Sequence, residues 1–279
     1  MTTTVHVLPD PVALGEALAA EIVAGIGAAG AAGRRYLLGC PGGRSPQTTY
    51  QALARRVTGM DLGHVVIVMM DDYLLPSPDG GWQRAPADAH YSCERFARED
   101  IAGLLNATAA RPIPPDQVWL PDPADPPAYE TRIAAAGGVD LFLVASGASD
   151  GHVAFNPPGT PLDQGPWTVP LAETTRRDNM ATFPDFASLD AVPTHGVSVG
   201  LGTIVRQSRS VRLVIHGHGK RTAAARVLGA TGFDPAWPAT FIHGCPDASI
   251  WLDAAAAPGG LEMEHLAGSR PGQATEEIG

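Results

Sequence analysis

Asp150 and His152 flank Gly151 at the end of the apolar run 139–145 and precede Ala154, Phe155 and Asn156. In an open α/β sheet, ligands sit beyond the carboxyl ends of the strands, so titratable side chains two positions apart in such a loop converge on one substrate and exchange protons with it. The same residues also suit a plain turn, with the Asp capping its own backbone and the His at the surface. A second apolar run, 64–70, ends in Asp71 and Asp72. Acids at the mouth of a buried strand are costly unless they receive hydrogen bonds or work on a ligand, so both are candidates. A helix cap or a salt-bridged loop is the simpler reading of them.

Gly42, Gly43, Arg44, Ser45 and Pro46 follow a third short apolar run. Glycines let backbone N–H groups approach an anion, Ser45 offers a hydroxyl and a helix cap, and the next helix adds its positive end. This suits a phosphate cradle or a tight strand-to-helix turn, and it matches neither the Walker loop nor the dinucleotide fingerprint. Lys220 opens a helix after a fourth run ending at Ile215, from which its ammonium reaches the same sheet edge unless it is merely solvated. His216 and His218 lack nearby Cys or carboxylate partners and make a poor metal set. His195, His243 and Trp251 read as packing or surface residues, and Cys40 as a small buried apolar residue.

The elements needed to position these groups are legible from patterning. Asp10 and Pro11 form a cap and first-turn pair, and Leu14, Leu18, Ile22 and Ile26 recur every fourth residue in a helix ended by Gly30 and Gly33, its Ala/Gly-rich last part frayed. Strands are expected at 36–40, 64–70, 139–145, 196–199, 211–215 and 249–252. Helices are expected around Tyr50 to Val57, 93–105, 127–136 and 220–228. Residues 74–89, rich in Pro, Gly and Asp, read as a long loop with a moving tip. Alternating strands and helices predict an α/β fold: a single doubly wound domain over 1–264, with a mainly parallel sheet and helices on both faces, followed by a disordered tail at 265–279.

The chain has 279 residues, 44% of them apolar, and a formal charge of -10. That supports a sizeable core and argues against a nucleic-acid partner, which needs a dense basic face. An anionic substrate must then be held by local donors. Three cysteines without paired spacing and no basic-then-apolar leader point to a cytoplasmic, reduced protein. No uninterrupted apolar stretch approaches a membrane span, so no membrane partner is expected. A homo-oligomer is compatible with this chain.

Together, Gly42-Gly43-Arg44-Ser45-Pro46, Met70-Asp71-Asp72-Tyr73, Asp150-Gly151-His152-Val153-Ala154-Phe155-Asn156 and Ser198-Val199-Gly200-Leu201-Gly202-Thr203 resemble, in order and spacing, the glucosamine-6-phosphate deaminase (isomerase) family over residues 10–255. The Asp-Gly-His core is shared with the 6-phosphogluconolactonases, which prefer a Gly-Gly-x-Ser/Thr-Pro loop like the one here. The resemblance implies that Asp71 moves a proton between C2 and C1, and that His152, oriented by Asp150, assists opening of the pyranose ring. Gly43, Arg44, Ser45 and Lys220 would hold the phosphate, with Gly42 and Asp72 in the same binding set. It also implies a phosphorylated amino sugar as partner and no metal or organic cofactor.

Two departures stand out. Pro157 and Pro158 occupy the place of an acidic residue that partners the histidine, and Met180-Ala181-Thr182 replaces a phosphate-binding Arg, with Arg176, Arg177 or Arg44 expected to compensate. The expected function is a deaminase/isomerase acting on glucosamine 6-phosphate or a related amino-sugar phosphate. The alternatives are a lactonase in which His152 activates water, and a catalytically silent sugar-phosphate-binding protein.

Overall fold

Strands buried on both faces read as unbroken apolar runs, and the runs in this chain are of that kind. The computed structural model describes residues 3–259. In chain order its elements are β1 (Thr4–Leu8), α1 (Pro11–Ala31), β2 (Tyr36–Cys40), α2 (Gln47–Arg56), β3 (Val65–Met69), β4 (Asp71–Pro76), β5 (Trp82–Arg84), α3 (Cys93–Phe96), a π-helical stretch (Ala97–Gly103), α4 (Leu104–Asn106), β6 (Val118–Trp119), α5 (Pro126–Ala135), β7 (Val139–Ala145), β8 (Trp167–Pro170), α6 (Glu173–Thr182), β9 (His195–Ser198), α7 (Leu201–Gln207), β10 (Ser208–Ile215), α8 (Arg221–Gly229) and β11 (Ala248–Asp253). Seven strands pair in parallel in the order β1-β11-β10-β7-β2-β3-β6. Along β3, Val65, Ile67 and Met69 join one buried layer with α1 and α2. Val66 and Val68 join the other, with residues of α5, α7 and α8. The expected α/β architecture, with helices on both faces of a parallel sheet, is the one observed.

The Asp10 carboxylate caps α1 by accepting from the amides of Val12 and Ala13, both at 2.8 Å. Leu14, Leu18, Ile22 and Ile26 are all buried beneath it, each such side chain contributing about 1.5–3 kcal/mol. The helix continues regularly to Ala31 rather than fraying. By length and composition α1 is apolar enough to cross a membrane. In the fold it is a core helix: Glu16 pairs with Arg55 and Arg56, and Glu21 with Arg212.

A second sheet, antiparallel and four-stranded in the order β5-β4-β9-β8, departs from the expected architecture. Residues 74–89, expected as a long loop, instead contain the second half of β4 and all of β5, paired from Leu74 with Arg84 to Pro76 with Trp82. The segment 196–199 belongs to this sheet rather than to the parallel one, with β9 facing β4. Only Met70 separates β3 from β4, so the chain passes straight from one sheet into the other, and the Met70 carbonyl accepts from Val199 N at 2.7 Å. The boundary at 264 and the tail at 265–279 lie outside the described residues.

The loop after β7 is tied to this joint by Asn156. Its amide nitrogen donates to the carbonyls of Val153 and Val199 at 3.0 and 2.8 Å, and its Oδ1 accepts from Trp167 Nε1 at 3.0 Å. The tight turn it closes places Ala154 at φ 52°, a left-handed conformation that an alanine adopts only under constraint. Asn156 is fully buried. Replacing it with Ala leaves the Trp167 N–H without its acceptor and the Val199 carbonyl with only the Ser198 hydroxyl, and urea denaturation should show a loss of about 1–3 kcal/mol.

Candidate active site

β2 and β7 lie side by side, yet the chain leaves them in opposite directions: from β2 toward β3 and β6, and from β7 toward β10, β11 and β1. Their outgoing loops part at this switch point and open a crevice, the usual ligand site of such sheets. The carboxyl ends of four neighbouring strands, β10, β7, β2 and β3, supply its walls. The cleft has a volume of about 510 Å³, and Gly42, Gly43, Arg44, Ser45, Asp71, His152 and Lys220 all line it. Asp150 sits behind His152, and Asp72 lies outside the cleft.

Asp71 opens β4, its backbone paired with Ser198 of β9. It is only 7% exposed. Burial drives its carboxyl up to about 7, and the nearby Asp72 charge adds to this, while a hydrogen bond from Cys93 opposes it. That bond runs from the Cys93 thiol to Asp71 Oδ1 at 3.5 Å. Successive strand residues point to opposite faces, so Asp72 turns away from the cleft. Its Oδ1 accepts from the amides of Tyr73 at 2.9 Å and Cys93 at 3.0 Å, while Oδ2 is buried without a partner. Burial raises Asp72 to about 6 against those bonds. The expected substrate-binding role of Asp72 is therefore corrected: the residue anchors the start of α3, whose first turn is capped by Ser92.

Asp150 accepts from His152 Nδ1 at 2.7 Å. With Nδ1–H committed to the carboxylate, Nε2 is the nitrogen left to exchange protons. The pair packs over Gly147, where a Cβ would come within 2.3 Å of His152 Nδ1. From α6, the Thr174 hydroxyl donates to Asp150 Oδ2 at 2.5 Å, and Thr175 Oγ1 lies 3.4 Å from His152 Nδ1. Burial would raise the Asp150 carboxyl, but the bonds from His152 and Thr174 outweigh it and hold the group well below the usual carboxylate range. Pro157 and Pro158 supply no acidic group, and the carboxylate bonded to the imidazole is that of Asp150.

At the glycine-loop end of the cleft, Gly43 adopts φ +82°, a conformation that favours glycine. Ser45 does not cap α2 as expected. The cap position is Pro46, with no side-chain bond, and the Ser45 carbonyl instead accepts from His216 Nε2 at 2.9 Å. That bond ties the glycine loop to the end of β10 and accounts for His216 without a metal. Lys220 lies in a 3-10 turn, His218–Lys220, just before α8. Its ammonium donates to the Ser146 carbonyl. Burial lowers its pKa and Arg44 adds to this, against the charges of Asp178 and Asp150. Neither Arg176 nor Arg177 compensates for the replaced arginine. Arg176 donates to the carbonyls of Leu189 and Val192, and Arg177 pairs with Glu173 on the surface. The α6 side chains on the cleft wall include Asp178 and Asn179.

Of the remaining histidines and aromatics, His195 stacks on Trp82, His243 bonds to the Val227 carbonyl and Trp251 stacks on His6, all packing roles. Cys40 is fully buried, with its thiol pushed up to about 12 by burial. The contributions of Cys93 and Thr174 are absent from the sequence expectations. A Ser at the head of an apolar-periodic helix would have placed Cys93 in a first turn. No sequence signal marks Thr174.

The sequence profile of the family "Glucosamine-6-phosphate isomerases/6-phosphogluconolactonase" matches residues 9–251. A glucosamine-6-phosphate deaminase of Shouchella clausii (strain KSM-K16) is 33% identical over 242 residues, 83% of this chain and 89% of the relative. A glucosamine-6-phosphate deaminase of Pseudarthrobacter chlorophenolicus is 35% identical over 222 residues, 79% and 80% of the two chains. Among solved structures, a monomeric glucosamine-6-phosphate deaminase superposes with a TM-score of 0.77 at 23% identity, covering 91% of this chain and 98% of that one. The 6-phosphogluconolactonase of Thermotoga maritima gives 0.62 at 20%, covering 90% and 99%. These two structures share the fold. With a profile match spanning most of its length and relatives above 30% identity, the chain belongs to the glucosamine-6-phosphate isomerase/6-phosphogluconolactonase family of enzymes.

Proposed function

We propose that the protein deaminates and isomerises glucosamine 6-phosphate or a closely related amino-sugar phosphate, giving a ketose phosphate and ammonia. The observation that carries this reading is that Asp71 and His152, from nearby strand ends, line one cleft whose wall also holds Arg44, Ser45 and Lys220. An aldose-to-ketose proton shift needs a carboxylate beside the reacting carbons, a separate acid/base at the ring oxygen and a remote anchor to fix the register. His152, oriented by Asp150, assists proton exchange at the ring oxygen and anomeric hydroxyl as the pyranose opens. Asp71 takes the proton from C2, leaving an enolamine, and returns a proton to C1, leaving an imine at C2. Water adds to that carbon and ammonia departs. Lys220 keeps ammonium protons beyond the one given to Ser146, and with the Gly43, Arg44 and Ser45 loop it holds the phosphate. No metal or organic cofactor is assigned a role.

A lactonase reading draws on the Gly42-Gly43-Arg44-Ser45-Pro46 loop. In it His152 would take a proton from water that attacks the ester carbonyl of a sugar-phosphate lactone. Asp71 has no necessary part in that hydrolysis, which separates the two readings. Protein incubated with glucosamine 6-phosphate should release ammonia and ketose phosphate in equal amounts. Acid release from 6-phosphogluconolactone without ammonia from the amino sugar would favour the lactonase, and binding of both without turnover would favour a silent binding protein.

Two variants test the roles. Asp71→Asn should lower kcat by about 10²- to 10⁴-fold with little change in substrate binding. Lys220→Ala should instead raise KM by roughly 10- to 100-fold, the loss of a hydrogen bond to a charged group. Parental kinetics in both would remove the assignment.

The pH dependence follows from burial of the base. Asp71 abstracts a proton only when ionised, and its carboxyl is raised to about 7. The kcat/KM profile should therefore fall with decreasing pH through an acid limb near neutrality. A limb at the ordinary carboxylate position, near pH 4, would contradict the buried base.

A further inference from the structure

We propose that Cys93 is a positioning residue for Asp71, its thiol holding Oδ1 so that Oδ2 is the oxygen presented to substrate. The inference rests on Asp71 being the base of the proposed reaction. Among the described residues, the Cys93 thiol is the one hydrogen-bond donor to the Asp71 carboxyl. That bond goes to Oδ1, no described residue donates to Oδ2, and Asp71 lines the cleft. A carboxyl with a single bond can rotate, and burial works against its charged form, so one directional donor settles both which oxygen is free and how readily it ionises.

The backbone that carries the thiol is held on two sides. Ser92 caps the first turn of α3, accepting from Arg95 N at 3.2 Å, and the Cys93 amide is clamped to Asp72 Oδ1 at 3.0 Å. Adjacent acids on β4 thus receive the two donors of a single residue: Asp72 the backbone N–H and Asp71 the S–H. Cys93 is 5% exposed and lines the same cleft. Burial and the two acids raise the thiol well above its ordinary value, so it remains S–H and a donor throughout the working range. The other ionisable groups around Asp71 are Asp72 and Tyr73 on β4, Tyr129 on α5, and His152, Arg44, Asp178, His216 and Lys220 on the cleft wall. None of them bonds to its carboxyl.

The test is the pH profile of kcat/KM for glucosamine 6-phosphate in Cys93→Val, which lacks a donor, and Cys93→Ser, which keeps one, beside Asp71→Asn. Cys93→Val should lower kcat by about 3- to 10-fold with KM nearly unchanged. Its acid limb should move to higher pH, because the ionised form has lost its donor, and Cys93→Ser should restore both. Equal losses in Val and Ser without movement of the limb, or a parental profile in Val, overturn the proposal. If Asp71→Asn is inactive while the limb stays put in Val, only this inference fails; if Asp71→Asn turns over normally, the proposed function fails first. Should Cys93→Val not fold, Cys93→Ala takes its place. A readout independent of turnover is the infrared S–H band of Cys93, identified by subtracting the spectrum of the Val variant. It should shift to lower frequency as Asp71 ionises and lose that response in Asp71→Ala, whereas a band indifferent to pH and to Asp71 contradicts the proposal.

Discussion

The site depends on holding one carboxylate, Asp71, at the joint where the chain leaves a parallel sheet for an antiparallel one. Burial there makes its charge expensive, and that expense is what suits it to the proposed role of a base near neutrality. The position is held from several sides: the ladder with Ser198, the bond from Val199 to the Met70 carbonyl, the capped first turn of α3 and the Cys93 thiol. The antiparallel sheet, absent from the sequence expectations, exists at this joint as the support for the acid.

Asp71 and Asp150 show how environment divides two aspartates into different roles. Asp71 is buried with one weak donor and is pushed up. Asp150 is also buried but receives a histidine and a threonine hydroxyl and is held down, so it stays ionised and orients the ring. Pushing two carboxyl groups apart in this way equips a cleft to remove a proton at one point and to exchange one at another. Lys220 and Arg44 complete the charge pattern, supplying local cations within a chain of strongly negative net charge.

Most of the scaffold was legible because β2, β3, β7 and β10 are buried on both faces and read as unbroken apolar runs, and their ends are where the chemistry sits. α1 was legible through Asp10, Pro11 and a fourfold apolar repeat. α6 was not: among its residues only Thr175 is buried, so it has no apolar stripe to read, and with it went Thr174 and Asp178. β4 hid behind its acids and Pro76, and its hairpin with β5 read as a loop. Asp71 and Asp72 are equivalent as letters, and only the alternation of a strand sends one into the cleft and the other to α3. Cys93 had no spacing partner in sequence, because what it bonds is 22 residues away in the chain and adjacent only in the fold.

The most direct test of the whole account is a crystal structure with an amino-sugar phosphate bound. The account predicts the phosphate on Arg44, Ser45 and Lys220, Asp71 Oδ2 within about 3.5 Å of C1 and C2, and His152 Nε2 at the ring oxygen. A ligand whose reacting carbons lie beyond the reach of Asp71, or whose phosphate sits away from the glycine loop, would contradict it.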